Sequence, residues 1–343
     1  MFDSIRSTRG RVFAAALGAG VLAGAAGLAV KRRRARSVKL NTDVAPNALL
    51  CEPTAPMVES WVTTDDGATL RVHTYGPEDG DPIVLVHGWT CSIEYWYPQI
   101  NALADNYRVI AYDLRGHGKS TIGTARLHAD LLGTDLDAVL QATLRGGEKA
   151  VVMGHSLGGI SVMSWANVCP DHVRQYAKAT VLLSTASDRL IAETTAIPLP
   201  SRFPRVPVPV GRAMIGAPVP FVDTPITTSV IKYLNFSSNI GAEELAFCAK
   251  IVRDCNPRAR GGWGQVLSEL DVKGGLENLN VPTSVIVGSR DRLTPQAHSH
   301  RLAGVLDNAG NLERLTVLPG MGHMSNIEDP DSVNLEVARL ASL

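Results

Sequence analysis

Residues 151–159 read Val-Val-Met-Gly-His-Ser-Leu-Gly-Gly, an apolar run that ends in a serine with a glycine two positions away on either side. The apolar run predicts a buried strand, and the residues after Ser156 predict a helix. A serine at so sharp a strand-to-helix turn needs neighbours without side-chain bulk, which Gly154 and Gly158 provide. Such a turn presents the Ser156 hydroxyl at a helix N-terminus above a sheet, which is the position of a nucleophile.

Short apolar runs alternate with helical stretches on both sides of this turn. The predicted strands lie at 61–62, 70–72, 83–86, 108–112, 150–153, 180–183, 284–287 and 315–318. The predicted helices lie near 94–105, within 124–142, directly after 156, near 295–306 and near 331–342. Asp65-Asp66-Gly67 between the first two strands is a hairpin signal. This order predicts an α/β fold with a mostly parallel sheet of the eight-stranded type and helices on both faces.

One connection is far longer than an ordinary crossover. About 100 residues separate the strand ending near 183 from the strand beginning near 284, and eight of the chain's 20 prolines fall between 198 and 225. We therefore expect an inserted cap over 187–262. The remaining divisions are an N-terminal segment at 1–40, a linker at 41–58 and a core at 59–186 and 263–343.

Composition excludes several classes of protein. The 343 residues are 45% hydrophobic and 19% charged, unlike collagen-like, disordered or polytopic membrane chains. Nine Lys/Arg residues and the single acid Asp3 give residues 1–40 a formal charge of +8, which leaves −8 on residues 41–343. Nucleic-acid binding rests on many Lys and Arg contacts to phosphates, so an acidic body predicts no nucleic-acid partner.

The N-terminus contains a candidate membrane segment. Residues 12–30 are uncharged and would span about 28 Å as a helix, close to the roughly 30 Å bilayer core. Basic residues are more numerous after this segment than before it, which favours a cytoplasmic catalytic body held by an uncleaved anchor. Two alternatives stay open: a signal or transit segment that is cleaved, with export of the body, and a basic tail.

A serine hydroxyl needs a base, and the base needs an acid that holds its tautomer. His323 lies in Pro-Gly-Met-Gly-His-Met directly after the last predicted strand, where glycines allow the imidazole to reach over the sheet edge. Asp291 lies in Gly-Ser-Arg-Asp-Arg-Leu-Thr-Pro after the preceding strand and is the expected acid. Asp188, just past the strand that ends at Leu183, is the rival acid.

A developing oxyanion needs preorganised donors. We expect one from the backbone N–H of Leu157, which follows the nucleophile. The second should come from the loop after residues 83–86, where Gly88 permits the turn and Trp89 supplies its backbone N–H. His87 is then a structural residue that bonds this loop.

No metal or cofactor is predicted. Gly118-Lys119-Ser120 resembles the end of a phosphate-binding loop, but Asp113 stands where that loop requires a glycine. Gly18-x-Gly20 opens no βαβ unit, so dinucleotide binding is not indicated. The cysteines show no CxxC or metal-ligand spacing and are expected to be unpaired structural thiols; they are Cys51, Cys91, Cys169, Cys248 and Cys255.

The motifs together resemble the α/β-hydrolase superfamily, in particular its lipase, esterase and haloperoxidase-like members. The likeness covers about residues 59–186 and 263–343. It rests on His87-Gly88-Trp89 after a strand, Asp-Leu-Arg-Gly-His-Gly-Lys-Ser at 113–120, Gly-His-Ser-Leu-Gly-Gly at 154–159, Gly288-x-x-Asp291 and Gly322-His323. The resemblance implies that Ser156, Asp291 and His323 form a triad and that 113–120 is a structural turn beside the site. It does not cover the cap, which ordinarily decides the substrate.

The leading hypothesis is a serine hydrolase that cleaves a carboxylic ester or lipid through an acyl-enzyme. Cofactor-free haloperoxidase or perhydrolase activity on the same triad is one alternative. Such enzymes often place Met after the serine, where this chain has Leu157, and this favours ester hydrolysis. A catalytically silent binding protein of the same fold is the other alternative. The apolar residues between 197 and 222 predict an apolar acyl pocket or, equally, packing of the cap onto the core.

Overall fold

The structure is a computed structural model that describes residues 47–194, 213, 215–218, 221–222 and 224–343. The predicted anchor at 12–30 and residues 195–212 of the predicted cap lie outside the described residues. Within the described part of the chain, no helix combines the length and apolarity needed to cross a bilayer.

Eight strands form one sheet within the described residues. Their order across the sheet is β1-β2-β4-β3-β5-β6-β7-β8, and β2 is antiparallel to β1 and β4 while all other neighbours are parallel. The strands are β1 Met57–Thr63, β2 Thr69–Tyr75, β3 Pro82–Val86, β4 Arg108–Tyr112, β5 Ala150–His155, β6 Ala177–Leu183, β7 Thr283–Gly288 and β8 Leu312–Leu318. The predicted α/β fold is confirmed.

The central strands are buried on both faces, as continuous apolar runs predict. In β3, Val84 and Val86 point into one hydrophobic layer, while Ile83 and Leu85 point into the other. Each such side chain contributes about 1.5–3 kcal/mol by leaving water. The sheet therefore has a core on each side, and its strands end together at one edge.

The first hairpin turns at the predicted residues. Val62 of β1 pairs with Leu70 of β2, and Gly67 between them has a φ of +81°, a value that favours glycine. This antiparallel pair covers one end of the otherwise parallel sheet.

Helices cover both faces of the sheet. They are α1 Tyr97–Leu103, α2 Ala129–Thr143, α3 Leu157–Val168, α4 Pro170–Tyr176, α5 Leu190–Glu193, α6 Pro225–Asn235, α7 Ala242–Asp254, α8 Pro257–Ser268, α9 Lys273–Glu277, α10 Gln296–Asn308, α11 Ser325–Glu328 and α12 Pro330–Ala341. Short 3-10 turns lie at Ala48–Leu50 and Ile93–Trp96. The predicted helices near 94–105, within 124–142, after 156, near 295–306 and near 331–342 all have counterparts.

The long connection between β6 and β7 contains α5 to α9. Position 262, the predicted end of the cap, falls inside α8. The indole of Trp263 in α8 is fully buried and donates a hydrogen bond of 2.9 Å to the Arg115 carbonyl oxygen. Helix α8 is thus fixed to the loop after β4, and the division of the chain into cap and core stays a prediction.

All five cysteines are unpaired, as the sequence predicts. Cys91, Cys248 and Cys255 are buried, Cys169 is half-buried and Cys51 is exposed. Burial in apolar surroundings raises the pKa of Cys91, Cys248 and Cys255, so these thiols stay neutral.

Candidate active site

Ser156 lies in a strained turn between β5 and α3. Its φ of +53° and ψ of −113° are rarely adopted by residues with a side chain, and such strain costs about 1–3 kcal/mol. The Ser156 N–H donates to the Leu183 carbonyl at 2.9 Å, and the Thr185 hydroxyl donates to the Ser156 carbonyl at 2.7 Å. A Cβ on Gly154 would overlap the Gly158 carbonyl, so the turn is closed by direct backbone contact. The surrounding bonds hold the serine in its strained conformation.

His323 and Asp291 come together from the loops after β8 and β7. The Nδ1 atom of His323 lies 2.9 Å from Asp291 Oδ2, and both side chains are nearly fully buried. This contact leaves Nε2 as the imidazole atom free to exchange a proton with a nucleophile. Parallel strands place both loops at the same sheet edge as the turn after β5.

Asp291 is held as a carboxylate. Burial alone would raise its pKa, but the charge of His323 and the hydrogen bonds from His323 and Thr294 outweigh burial and lower the pKa below its usual value. The Thr294 hydroxyl donates to Oδ2 at 2.6 Å, while the Leu293 and Thr294 N–H groups donate to Oδ1 at 2.9 and 2.8 Å. The carboxylate is therefore fixed in position as well as in charge.

Asp188, the rival acid, lies among cations. Its carboxylate is 3.4 Å from Arg189, 3.6 Å from Lys273 and 4.0 Å from Arg301. The carboxylate at hydrogen-bond distance from the His323 imidazole is that of Asp291.

His155 links the serine turn to the His323 loop. Its Nε2–H donates to the His323 carbonyl at 3.1 Å, and the two imidazole rings lie 4.8 Å apart between centroids. Burial lowers the pKa of His155 well below its ordinary value, so the ring is neutral. Because a carbonyl can only accept, the tautomer must carry its proton on Nε2.

The two expected oxyanion donors lie on elements that meet at Ser156. Leu157 is the first residue of α3, where N–H groups have no intrahelical partner. Trp89 follows Gly88, at which a Cβ would stand 3.3 Å from Ser156 Cβ and 2.8 Å from His155 Nδ1. Only a glycine lets the loop after β3 approach the serine so closely.

The buried His87 side chain joins the loop after β3 to the loop after β4 by hydrogen bonds. Its Nε2 accepts from the Leu114 N–H at 3.0 Å, which leaves Nδ1–H to donate to the Gly88 carbonyl at 2.8 Å. Burial lowers the pKa of His87 to about 4, so the ring is neutral.

Residues 113–120 form a rigid turn beside the site. Asp113 is fully buried and accepts from Arg71 at 2.7 Å, from the Ile93 N–H at 2.8 Å and from the Lys119 N–H at 2.9 Å. A buried carboxylate with this many donors orders the loop. Asp113 thus serves the structure of the turn.

One group of side chains in the described part of the chain has metal-ligand chemistry. Atoms of Asp137, Cys169 and His172 lie within 4.8 Å of one another near the C-terminal end of α3. His172 Nδ1 is 2.7 Å from Asp137 Oδ1, which also accepts from the Trp165 indole at 2.8 Å. These hydrogen bonds occupy the Asp137 and His172 atoms that a metal would use.

The site defines a class of enzyme. A strained serine at a strand-to-helix turn, followed in chain order by a buried acid and its histidine at the same sheet edge, is the arrangement of an α/β hydrolase. Residues 83–336 match the family model described as the alpha/beta hydrolase family, and the chain belongs to that family.

Relatives and solved structures of several activities resemble this chain. A non-heme chloroperoxidase from Streptomyces lividans is 30% identical over 72% of this chain and 88% of its own length. A 3-oxoadipate enol-lactonase from Acinetobacter baylyi is 27% identical over 79% of this chain and 92% of its own length. The structure of an esterase from Exiguobacterium antarcticum superposes with a TM-score of 0.67 at 18% identity, covering 83% of this chain and all of the other. The last comparison supports the fold.

Three residues beside the site were not found by sequence reasoning. Thr294 supports Asp291, His155 contacts the His323 loop, and Arg260 of α8 accepts through its carbonyl from the Trp89 indole at 3.0 Å. His155 stood within the quoted serine motif and carried a signal by position alone. Thr294 lies three residues after Asp291, so its contact is local and its signal was likewise its position in the motif. Arg260 carried no signal, because its contact with Trp89 depends on how segments far apart in the chain meet.

Proposed function

We propose that this protein is a serine hydrolase that cleaves carboxylic esters through an acyl-enzyme on Ser156, Asp291 and His323. The observation that carries the proposal is the buried 2.9 Å contact between Asp291 and His323 at the sheet edge where the strained Ser156 turn lies. Strained backbone that its surroundings hold in place is typical of active sites.

The proposed mechanism begins with proton transfer from Ser156 Oγ to His323 Nε2 as Oγ bonds to the ester carbonyl carbon. Negative charge moves to the carbonyl oxygen, where the N–H groups of Leu157 and Trp89 stabilise it. The tetrahedral intermediate collapses, the ester C–O bond breaks, and His323 returns the proton to the departing alcohol. Asp291 stabilises the imidazolium throughout.

Deacylation repeats these steps with water. Water gives a proton to His323 as its oxygen attacks the acyl carbon, and the Ser156 Oγ leaves with that proton to regenerate the enzyme. The products are a carboxylic acid and an alcohol, and no step of this mechanism requires a metal or cofactor.

The acyl preference follows from the apolar character predicted for the cap. We expect esters of medium or long acyl chains to be cleaved with a higher kcat/KM than acetates, because an added methylene buried in an apolar pocket is worth about 0.8 kcal/mol. The measurement is kcat/KM for 4-nitrophenyl esters of increasing chain length, with Ser156→Ala as the background. Highest kcat/KM on acetate with a steady decline along the series would contradict an apolar acyl pocket.

The similarity to a non-heme chloroperoxidase supports a second candidate. Hydrogen peroxide in place of water at the deacylation step would give a peracid, and the peracid would oxidise halide. The measurement is bromination of a reporter with acetate and hydrogen peroxide present, compared with hydrolysis of 4-nitrophenyl acetate under the same conditions. Leu157 after the nucleophile favours hydrolysis.

Attachment to a membrane through residues 12–30, with the catalytic body in the cytoplasm, stays a prediction from the sequence. Fractionation of the full chain beside a variant that begins near Asn41 tests it directly.

A further inference from the structure

Helix α8 carries a buried cation that has no partner anion among the described residues. Arg260 is 5% exposed, and its Nη1 atom is buried without a hydrogen-bond acceptor in the part of the chain that the structure describes. No carboxylate of the described residues forms an ion pair with it. Its guanidinium instead lies over the Phe221 ring, 4.4 Å from the centroid. A buried charge without a counter-ion lowers the free energy of unfolding, so packing alone does not account for an arginine at this position.

The thiol beside Arg260 does not supply the missing charge. The nearby guanidinium lowers the pKa of the Cys255 thiol, but burial outweighs this effect and raises the pKa to about 12. The thiol is therefore neutral at physiological pH. Burial also lowers the pKa of Arg260 from its usual value, and no carboxylate of the described residues offsets the lost solvation.

Contacts of the Arg260 backbone carbonyl and of Trp263 hold this turn of α8 against the loop that reaches Ser156. The Arg260 carbonyl accepts from the Trp89 indole at 3.0 Å, and three residues further along α8 the Trp263 indole holds the helix to the Arg115 carbonyl. Cys255, just before α8, lies near Cys91 and helps to raise the pKa of its thiol, and the Cys91 N–H donates to the Gly88 carbonyl at 3.1 Å. Arg260 is thus fixed relative to the loop that carries the expected oxyanion donor.

Building on the proposed ester hydrolysis, we propose that Arg260 binds an anionic group of the substrate, so that the preferred ester or lactone carries a carboxylate away from its scissile bond. The planar guanidinium offers a fork of N–H donors that matches a carboxylate. A bound carboxylate would supply both the missing counter-ion and the missing acceptor for Nη1. Phe221 would remain against the flat face of the guanidinium and leave its edge for the substrate.

The test compares matched esters that differ in one group. The mono-4-nitrophenyl esters of adipic, suberic and sebacic acids carry a terminal carboxylate, and the hexanoate, octanoate and decanoate carry a methyl group instead. We expect the wild-type kcat/KM to favour the carboxylate ester at one or more lengths by about 10- to 100-fold, the range of a hydrogen bond to a charged group. Rates are corrected for spontaneous hydrolysis.

Variants of two arginines on α8 distinguish binding of the substrate carboxylate by Arg260 from the general effect of removing a positive charge. Arg260→Met should lose most of the preference for the carboxylate ester, and Arg260→Lys should keep part of it, because lysine retains charge but loses the fork. Arg258 is exposed two residues earlier on α8, and Arg258→Met should keep the wild-type ratio. Melting temperatures of all variants report folding, and Arg260→Lys keeps the test valid if Arg260→Met does not fold.

The possible outcomes are distinct. Hydrolysis of neutral esters by the wild type without preference for any carboxylate ester would overturn the role of Arg260 and leave the proposed function standing. A preference that persists in both Arg260 variants would overturn it too. Failure of the wild type to cleave any ester of either series would overturn the proposed function, and the inference with it.

Discussion

Replacing Ser156 by alanine is expected to lower kcat/KM for 4-nitrophenyl esters by about 10⁴- to 10⁶-fold. The change removes the atom that forms the acyl bond, so only binding and the oxyanion donors remain to assist attack by water. The fold should be unaffected, since the neighbouring bonds to Leu183 and Thr185 are made by the Ser156 backbone. Steady-state kinetics and the melting temperature measure the two quantities.

The controls for this prediction lie close by. Ser164→Ala removes a hydroxyl from the same helix, where it bonds to the Ala129 carbonyl, and should keep the wild-type rate. His323→Ala should be about as inactive as Ser156→Ala, and the double variant should lose little more, because the two side chains act as a unit. Turnover near wild type in Ser156→Ala would show that the nucleophile lies elsewhere.

Asp291→Asn is expected to lower kcat by about 10⁴-fold while the imidazole stays close to its present place. A carboxylate accepts the Nδ1–H of His323 and so presents Nε2 as a base, whereas an amide can turn its NH₂ toward the ring and stabilise the opposite tautomer. The substitution of Asp291 by asparagine also removes the negative charge that stabilises the His323 imidazolium. The measurement is kcat for a fast 4-nitrophenyl ester over a range of pH.

Asp188→Asn is the matched control. It removes the same charge from a carboxylate whose partners are Arg189, Lys273 and Arg301, and its effect on kcat should be small. If Asp188→Asn damages activity far more than Asp291→Asn, the acid has been assigned to the wrong residue.

The fold was predictable because its central strands have a simple pattern. Strands such as β3, with Ile83 and Leu85 on one face and Val84 and Val86 on the other, are buried on both sides and so appear as uninterrupted apolar runs. The turn after β5 was predictable for a different reason, since only glycine fits at 154 and 158. The central strands and the turn after β5 are thus both determined by residues adjacent in the sequence.

The length of the connection between β6 and β7 was predictable, but the positions of its helices were not. Prolines interrupt the helical pattern there, and the position of α8 depends on the contact of Trp263 with the distant Arg115 carbonyl. Asp291 and His323 could be named because each follows a strand that ends at the same edge. The contact of His155 with the His323 carbonyl and the isolation of Arg260 arise only when segments far apart in the chain meet, so the sequence alone could not reveal them.

Labelling with a fluorophosphonate, followed by peptide mass mapping, shows whether Ser156 is the nucleophile that forms the acyl-enzyme. We expect one adduct per chain on the peptide that contains Ser156, with no labelling of Ser156→Ala and much slower labelling of His323→Ala. An adduct on another residue, or an unlabelled Ser156 in folded wild-type protein, would show that Ser156 is not the nucleophile.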